Sequence, residues 1–394
     1  MVKRKPLSLP VLVFLLIRAT LLLALPFDGL RNYSDHLHFF NLAALPGLPY
    51  FNFWSEFPPV FPFLSELLHG LSGGAEHTYT YLLILFLSAA GLGSILLFER
   101  IAARLDLPDG LWRAVLFAAL LAALPYTWWY FDILTVFFTL LAIDLAFSRR
   151  PAALAGLVLG LGILTKLFPA MLLPALWKNL SRRRALILTT AALILPLLIY
   201  AALGLASPSF TAASLQSQAA KGSWETVWAL LDGNLRTGNF GPLDERFDPA
   251  AAELAQGNPP FLNPWLRLAI FGALGLFLFL RARLDSPRRA LAFAGLTSTI
   301  FFLWSPGWSV QWVLYLLPLI LLTLPQRMAL LLGAAHLFIN LLEWPVLLSR
   351  GLFDTLPLTI LLRAFLLLLL ALVWWQQCAP QSSHEAPESQ QLSL

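Results

Sequence analysis

Residues 152–177 read AALAGLVLGLGILTKLFPAMLLPALW, 26 consecutive positions whose one charge is Lys166 and whose prolines are Pro169 and Pro174. The run is longer than the roughly 20 apolar residues that cross a bilayer once. Its flanks decide how it crosses. Arg149-Arg150 precede it, and Lys178, Arg182, Arg183 and Arg184 follow it. Basic residues collect in cytoplasmic loops, so both flanks belong on that side only if the run goes out and comes back. The sequence therefore predicts two short helices with Lys166 at their outward-facing apex, because irregular backbone at membrane depth is tolerated where it lines a cavity.

The rest of the chain has the same character. Apolar residues make up 59% and charged residues 12% of the 394 positions, against roughly 45–50% and about 25% in soluble domains, which defines a polytopic membrane protein. The net charge of +5 sits in short clusters between apolar runs, as the positive-inside rule produces, and calls for no nucleic-acid partner. A single cysteine, Cys378, excludes an intrachain disulfide framework.

The run 9–26, preceded by Lys3-Arg4-Lys5, reads as a retained first span rather than a signal peptide. It is longer than a signal core, Arg18 interrupts it, and no small-x-small cleavage site follows. Further spans are expected at 78–98, 112–127, 131–148, 185–203, 264–281, 289–304, a stretch ending at Pro325, 328–348 and 356–375. With the two halves of 152–177, about twelve crossings result, and both termini lie in the cytoplasm. The fold class is an all-α integral membrane protein, one domain over 1–375. It has outer loops at 27–77 and 204–263, short amphipathic helices in the first of these, and a polar tail at 376–394 that reads as disordered.

Chemistry concentrates at the outer ends. Asp35 follows the first span within Tyr33-Ser34-Asp35-His36-Leu37-His38, where a water-soluble acceptor and a membrane-embedded donor can meet. It reads either as a base or as a carboxylate capping a short surface helix. His36 and His38 match no metal-site spacing; a divalent metal stays open and no cofactor is certain. Lys166 amid Leu164, Leu167 and Phe168 would cost roughly 2.5 kcal/mol or more at the bilayer centre, so it faces a polar cavity or snorkels. Arg18 and Arg363 are further intramembrane cations suited to an anionic ligand. Asp132 opens a span from the outside, after Trp128-Trp129-Tyr130. Trp54 and Glu56 in the first outer loop, and Trp308 and Gln311 after Ser305-Pro306-Gly307, offer rings and polar groups for a sugar. Interfacial tryptophans equally form an aromatic belt. His336, Asn340 and Glu343 share one helix face, serving either chemistry or packing. No P-loop, Rossmann fingerprint, nucleophile elbow or zinc signature is present, which leaves a soluble nucleotide-sugar or ATP site unsupported.

Four segments resemble the GT-C superfamily of polytopic glycosyltransferases, nearest to glycosyltransferase family 87 and to the catalytic subunit of GPI mannosyltransferase I. These are Tyr33-Ser34-Asp35 with Gly47, Pro49-Tyr50 and Pro58-Pro59; Asp132 at the start of a span; Lys166-Leu167-Phe168-Pro169; and Gln311-Trp312-Val313-Leu314-Tyr315-Leu316-Leu317-Pro318. Two departures stand out. Asp35-His36-Leu37 replaces the aspartate-x-aspartate pair of the GPI enzyme, and Val310 and Gln311 stand where actinobacterial members carry histidines.

The resemblance implies transfer of a hexose, mannose first, from a polyprenyl-phosphate-linked sugar to a glycan or lipid acceptor, with inversion. It places the site on the outer face of a prokaryotic cytoplasmic membrane. Asp35 is then the general base, Lys166 and Arg18 hold the donor phosphate, and Glu56, Trp54, Asp132, Trp308, Gln311 and His336 meet sugar or acceptor. Two rivals remain: a lipid-linked glycan flippase or other transporter using the same cavity without a base, and a non-catalytic subunit. No internal repeat is visible, which weighs against the transporter.

Overall fold

The computed structural model describes residues 7–31, 35–236, 241–254 and 256–380. Lys3-Arg4-Lys5, Tyr33, Ser34 and the tail from 381 onward lie outside the described residues. Helices make up 77% of the structure, and strands are absent among the described residues, so the all-α class follows directly.

After α1 (Leu9–Ala24) come three short helices, α2 (Phe27–Arg31), α3 (His36–Ala43) and α4 (Val60–Leu71). The helices α5 (Glu76–Arg104), α6 (Gly110–Ala123), α7 (Asp132–Ala146), α8 (Ala152–Thr165), α9 (Leu173–Asn179) and α10 (Arg182–Ala206) follow. The second long loop carries α11 (Pro208–Ala220) and α12 (Val227–Asp232). The bundle closes with α13 (Pro264–Arg281), α14 (Pro287–Trp304), α15 (Val313–Thr323), α16 (Gln326–Leu341) and α17 (Leu356–Cys378). The last helix thus runs three residues past the expected boundary at 375.

Among the described residues, five helical segments are long and apolar enough to cross a membrane, including Glu76–Arg104, Arg182–Ala206 and Pro264–Arg281. Protein covers only 6% of the apolar stretch of α13, so its face of leucines and phenylalanines demands lipid rather than water. Shorter apolar helices, including α1, α6 and α8, complete the bundle, and of these α8 is the most deeply buried. Close approach of α8 to α10 is made by Gly156 and Gly160. A Cβ on Gly156 would overlap the Leu188 carbonyl oxygen, so only a small-residue stripe allows this packing.

The run 152–177 does leave and return. Helix α8 stops at Thr165 because Lys166 is extended (φ −160°, ψ 150°), and Pro169 opens a 3-10 turn, Phe168–Leu172, that leads into α9. Arg184, at the start of α10, donates to the carbonyls of Ala146 (3.1 Å) and Ser148 (2.9 Å), which puts the two flanks of the run at the same end of the bundle. The returning limb is shorter than expected: α9 has seven residues.

Every basic turn gathers at that end. Arg100 and Arg104 pair with Asp144 at 3.1 and 3.0 Å, Arg113 reaches the Leu324 carbonyl, and Arg288 that of Thr323. The first helix begins there, with Ser8 on Glu99 (2.8 Å), and the last one ends there, with Arg283 N–H on the Cys378 carbonyl (2.7 Å). Asp35, Asp132, Lys166 and the second long loop occupy the opposite end.

Candidate functional site

The opposite end is built from α3, the start of α7, the end of α8 and the loop after α11. Asp35 stands at the N-cap position of α3, yet its side chain accepts no capping bond. The capping role weighed for it is therefore absent, and its carboxyl makes no hydrogen bond among the described residues. It is exposed by area, but it is ringed by His38, Lys221, Lys166 and Asp132 within electrostatic reach. Asp35 thus belongs to one cluster of charged groups at this end of the bundle. Desolvation raises its pKa above the usual carboxylate range, the charges of His38, Lys221 and Lys166 pull it back, and Asp132 pushes it further up.

Lys166 reaches across to Asp132 in the first turn of α7, at 2.7 Å to Oδ1 and 2.9 Å to Oδ2. The carboxylate is fully buried and also accepts the Tyr315 hydroxyl at 2.5 Å. Beneath the ammonium, 4.7 Å away, lies the ring of Phe131, which itself stacks on Phe61 at 4.0 Å. The aromatic floor excludes water from one side of the ion pair. Tyr130 is buried and lies within electrostatic reach of Asp35, Asp132 and Glu225.

A second network ties the two outer loops together. Glu56 accepts Arg246 at 2.9 and 3.3 Å and His38 Nε2 at 2.7 Å, and the Arg246 guanidinium lies 3.9 Å over the Trp54 ring. The Trp54 indole donates to the carbonyls of Glu245 and Asp248, both at 3.1 Å. Burial works to raise the Glu56 pKa, but the His38 hydrogen bond and the Arg246 and His38 charges prevail and hold it at about 2. This network fixes α3, and with it Asp35 one turn away from His38.

The structure separates the expected site residues into two groups. Asp35, Lys166 and Asp132 come together, with Glu56 behind them through His38. The others do not present open groups to that cluster. Arg18 spends its donors on Ser88, the Ala122 carbonyl and Thr127, under the Trp128 ring, so it joins α1 to α5 and α6 rather than awaiting a phosphate. Trp308 is 1% exposed: its indole donates to Asn340 at 2.9 Å and Arg363 covers its ring, so no sugar can stack on it. Trp54 and Gln311 are buried as well. His336 binds the carbonyl of Leu332 on its own helix, and the Asn340 amide binds that of His336, so the stripe on α16 holds helices and Trp308 in place. Glu343 completes it with Arg363 at 2.6 Å.

Three residues of the second long loop also belong to this end. Lys221, Trp224 and Glu225 follow α11, and Lys221 lies within electrostatic reach of Glu56, Asp35, Lys166 and Glu225. Glu225 has a left-handed backbone (φ 52°), and burial and then Glu343 push its carboxyl pKa well up. The one available signal was their closeness to one another within the long outer loop.

No three His, Cys, Asp or Glu side chains converge as a metal site among the described residues. The His36 ring is fully buried, 6.5 Å from the Trp129 ring, whereas Asp35 is exposed. The residues present thus do not fit a metal held at Asp35-His36-Leu37. Comparisons with protein-family models, curated proteins and solved structures found nothing that matches this chain.

Proposed function

We propose that the chain is a membrane glycosyltransferase of the GT-C type. It crosses the bilayer about twelve times, with its basic end in the cytoplasm, and it transfers a hexose, mannose first, from a polyprenyl phosphate to an acceptor hydroxyl at the outer face. The observation that carries this reading is Asp35: a carboxyl without a hydrogen-bond partner among the described residues, within electrostatic reach of Lys166 and Lys221.

The chemistry suits that arrangement. In a single inverting displacement the acceptor oxygen bonds to the anomeric carbon, and the carbon–oxygen bond to phosphate breaks with its electron pair leaving on the polyprenyl phosphate. That leaving group is a phosphate monoester dianion, whose conjugate acid has a pKa of about 6, so it needs no proton at neutral pH. The acceptor hydroxyl, in contrast, must lose one, and Asp35 takes it. Lysine charge near the phosphate stabilises the leaving anion. Desolvation makes Asp35 a stronger base than a carboxylate in water.

The test is to incubate purified protein with candidate polyprenyl-phosphate sugars and acceptors and to measure release of the lipid phosphate. Release that depends on both acceptor and Asp35 is the expected result. Vesicles in which the protein moves an intact lipid-linked sugar across the bilayer without cleaving it would replace this reading by the transporter.

A further inference from the structure

Towards the basic end of the bundle, away from Asp35, a groove of about 460 Å³ opens between α9, α10, α13 and α14. Leu173, Trp177, Leu276, Phe279 and Phe293 wall it, and Thr297 spends its hydroxyl on the Met171 carbonyl at 2.8 Å. Such a lining suits a hydrocarbon chain. Its depth is that of one leaflet. Thr189 lies seven residues beyond Arg182, Gly272 nine before Arg281, and Thr297 ten beyond Pro287. At about 1.5 Å per residue the groove reaches about 10–15 Å inward from the helix ends, half of a roughly 30 Å hydrocarbon core. The part of its floor on α13 is glycine. A Cβ placed on Gly272 or Gly275 meets no atom within 4 Å, so neither residue serves a close approach within the chain, as Gly156 does. Glycine weakens a helix relative to alanine, and the space these two leave belongs to the groove.

Cations stand at its mouth. Lys178 donates to the carbonyls of Phe279 and Leu280 (3.1 Å to the latter) at the end of α13, and the Asn179 amide donates to the Leu284 carbonyl at 2.7 Å. These bonds staple the end of α9 to residues 279–284 and bring Lys178, Arg281 and Arg283 into one patch. Carbonyls satisfy the Lys178 N–H groups but leave its charge without a carboxylate. Arg281 and Arg283 are exposed, and neither side chain makes an ion pair or hydrogen bond among the described residues. Asp285, the next acid along the chain, is taken by Arg289 at 2.8 Å. Trp177, 44% exposed at the rim, is the amphipathic ring of a membrane interface.

We propose that the groove binds an anionic phospholipid of the leaflet at the basic end, with an acyl chain over Gly272 and Gly275 and the phosphate among Lys178, Arg281 and Arg283. A zwitterionic lipid fills the slot as well, but its own ammonium opposes the patch. A second copy of the chain is disfavoured by charge, since a parallel pair would set like cations side by side in one leaflet. The inference rests on the membrane fold and not on the glycosyltransferase reading.

The experiment is native mass spectrometry of the full chain in detergent, titrated with dioleoyl phosphatidylglycerol or dioleoyl phosphatidylcholine. Wild type should take up a first phosphatidylglycerol about tenfold more tightly than phosphatidylcholine. Arg281→Gln with Arg283→Gln should remove that preference and leave phosphatidylcholine binding and Tm unchanged, whereas the paired lysine variants should keep it. Gly275→Leu should weaken both lipids by filling the groove; should it fail to fold, the arginine variants decide alone. Equal affinity of wild type for the two lipids, or a preference that survives the loss of both arginines, overturns the site. So does a dimer that Gly275→Leu converts to monomer with lipid binding intact, which gives the face to a second copy.

Discussion

Lys166 and Asp132, 34 positions apart, meet in a two-pronged ion pair that joins the end of α8 to the first turn of α7, with 15% and 1% of their side chains exposed. Their mutual dependence limits what a single substitution can report.

Lys166→Met removes the cation and leaves a buried carboxylate with only Tyr315 to satisfy it. Breaking a buried pair in this way costs about 3–5 kcal/mol. The variant should therefore unfold at a clearly lower temperature in detergent, and Lys166→Met with Asp132→Asn should recover part of the loss. Equal stability of wild type and Lys166→Met would show that the pair is absent in solution.

The topology is checked by labelling. With Cys378 replaced by Ser, single cysteines at exposed Ser209 and Arg183 report the two ends. An impermeant maleimide applied to intact cells should modify Ser209→Cys and spare Arg183→Cys. Labelling of both from one side would refute the proposed crossings.

Glu56 sets a pH limit on the outer loops. Its pKa falls from 4.5 to about 2 on folding, so it is a depressed carboxylate. The stability it contributes is fully present above about pH 4.5 and is lost as pH falls towards 2. Thermal unfolding followed down that window should show a decline that Glu56→Gln lacks. Arg246→Met should destabilise at neutral pH, since it strands Glu56 with His38 alone. A flat wild-type profile between those limits would remove Glu56 from this role.

The helices were legible because lipid solvation writes itself into composition, and the charge pattern around 152–177 dictated a return that Arg184 and Ser148 make visible. Partners distant in sequence were not. Nothing local tells that Arg246 will reach Glu56 across 190 positions, or that Gly307 will accept the ring of Trp224. Trp308 and Trp54 looked like sugar platforms because a polar-flanked tryptophan in a loop has the same local pattern whether it is exposed or, as here, buried under an arginine. Arg18 misled in a similar way: the cost of an intramembrane charge demands partners, and backbone carbonyls at the end of α6 satisfy that demand as well as a phosphate would.

Asp35 carries the sharpest prediction. As the base it must be ionised, so turnover should fall as pH drops through its pKa, and desolvation places that limb above the usual carboxylate range. Asp35→Asn keeps the shape and cannot take the proton; turnover should drop about 10²- to 10⁴-fold with little change in donor affinity, and the acid limb should vanish. Asp35→Glu should recover little, because the carboxyl is displaced by about an ångström. Stability separates this from a structural role. An acid whose folded pKa is raised costs stability at neutral pH, a cost relieved as pH falls, so replacing it with a neutral amide should leave Tm unchanged or slightly higher. A lost helix cap would lower it instead. Near-wild-type sugar transfer by a stable Asp35→Asn protein would exclude Asp35 as the base, and a lowered Tm with proportionate loss of activity would return it to the helix it precedes.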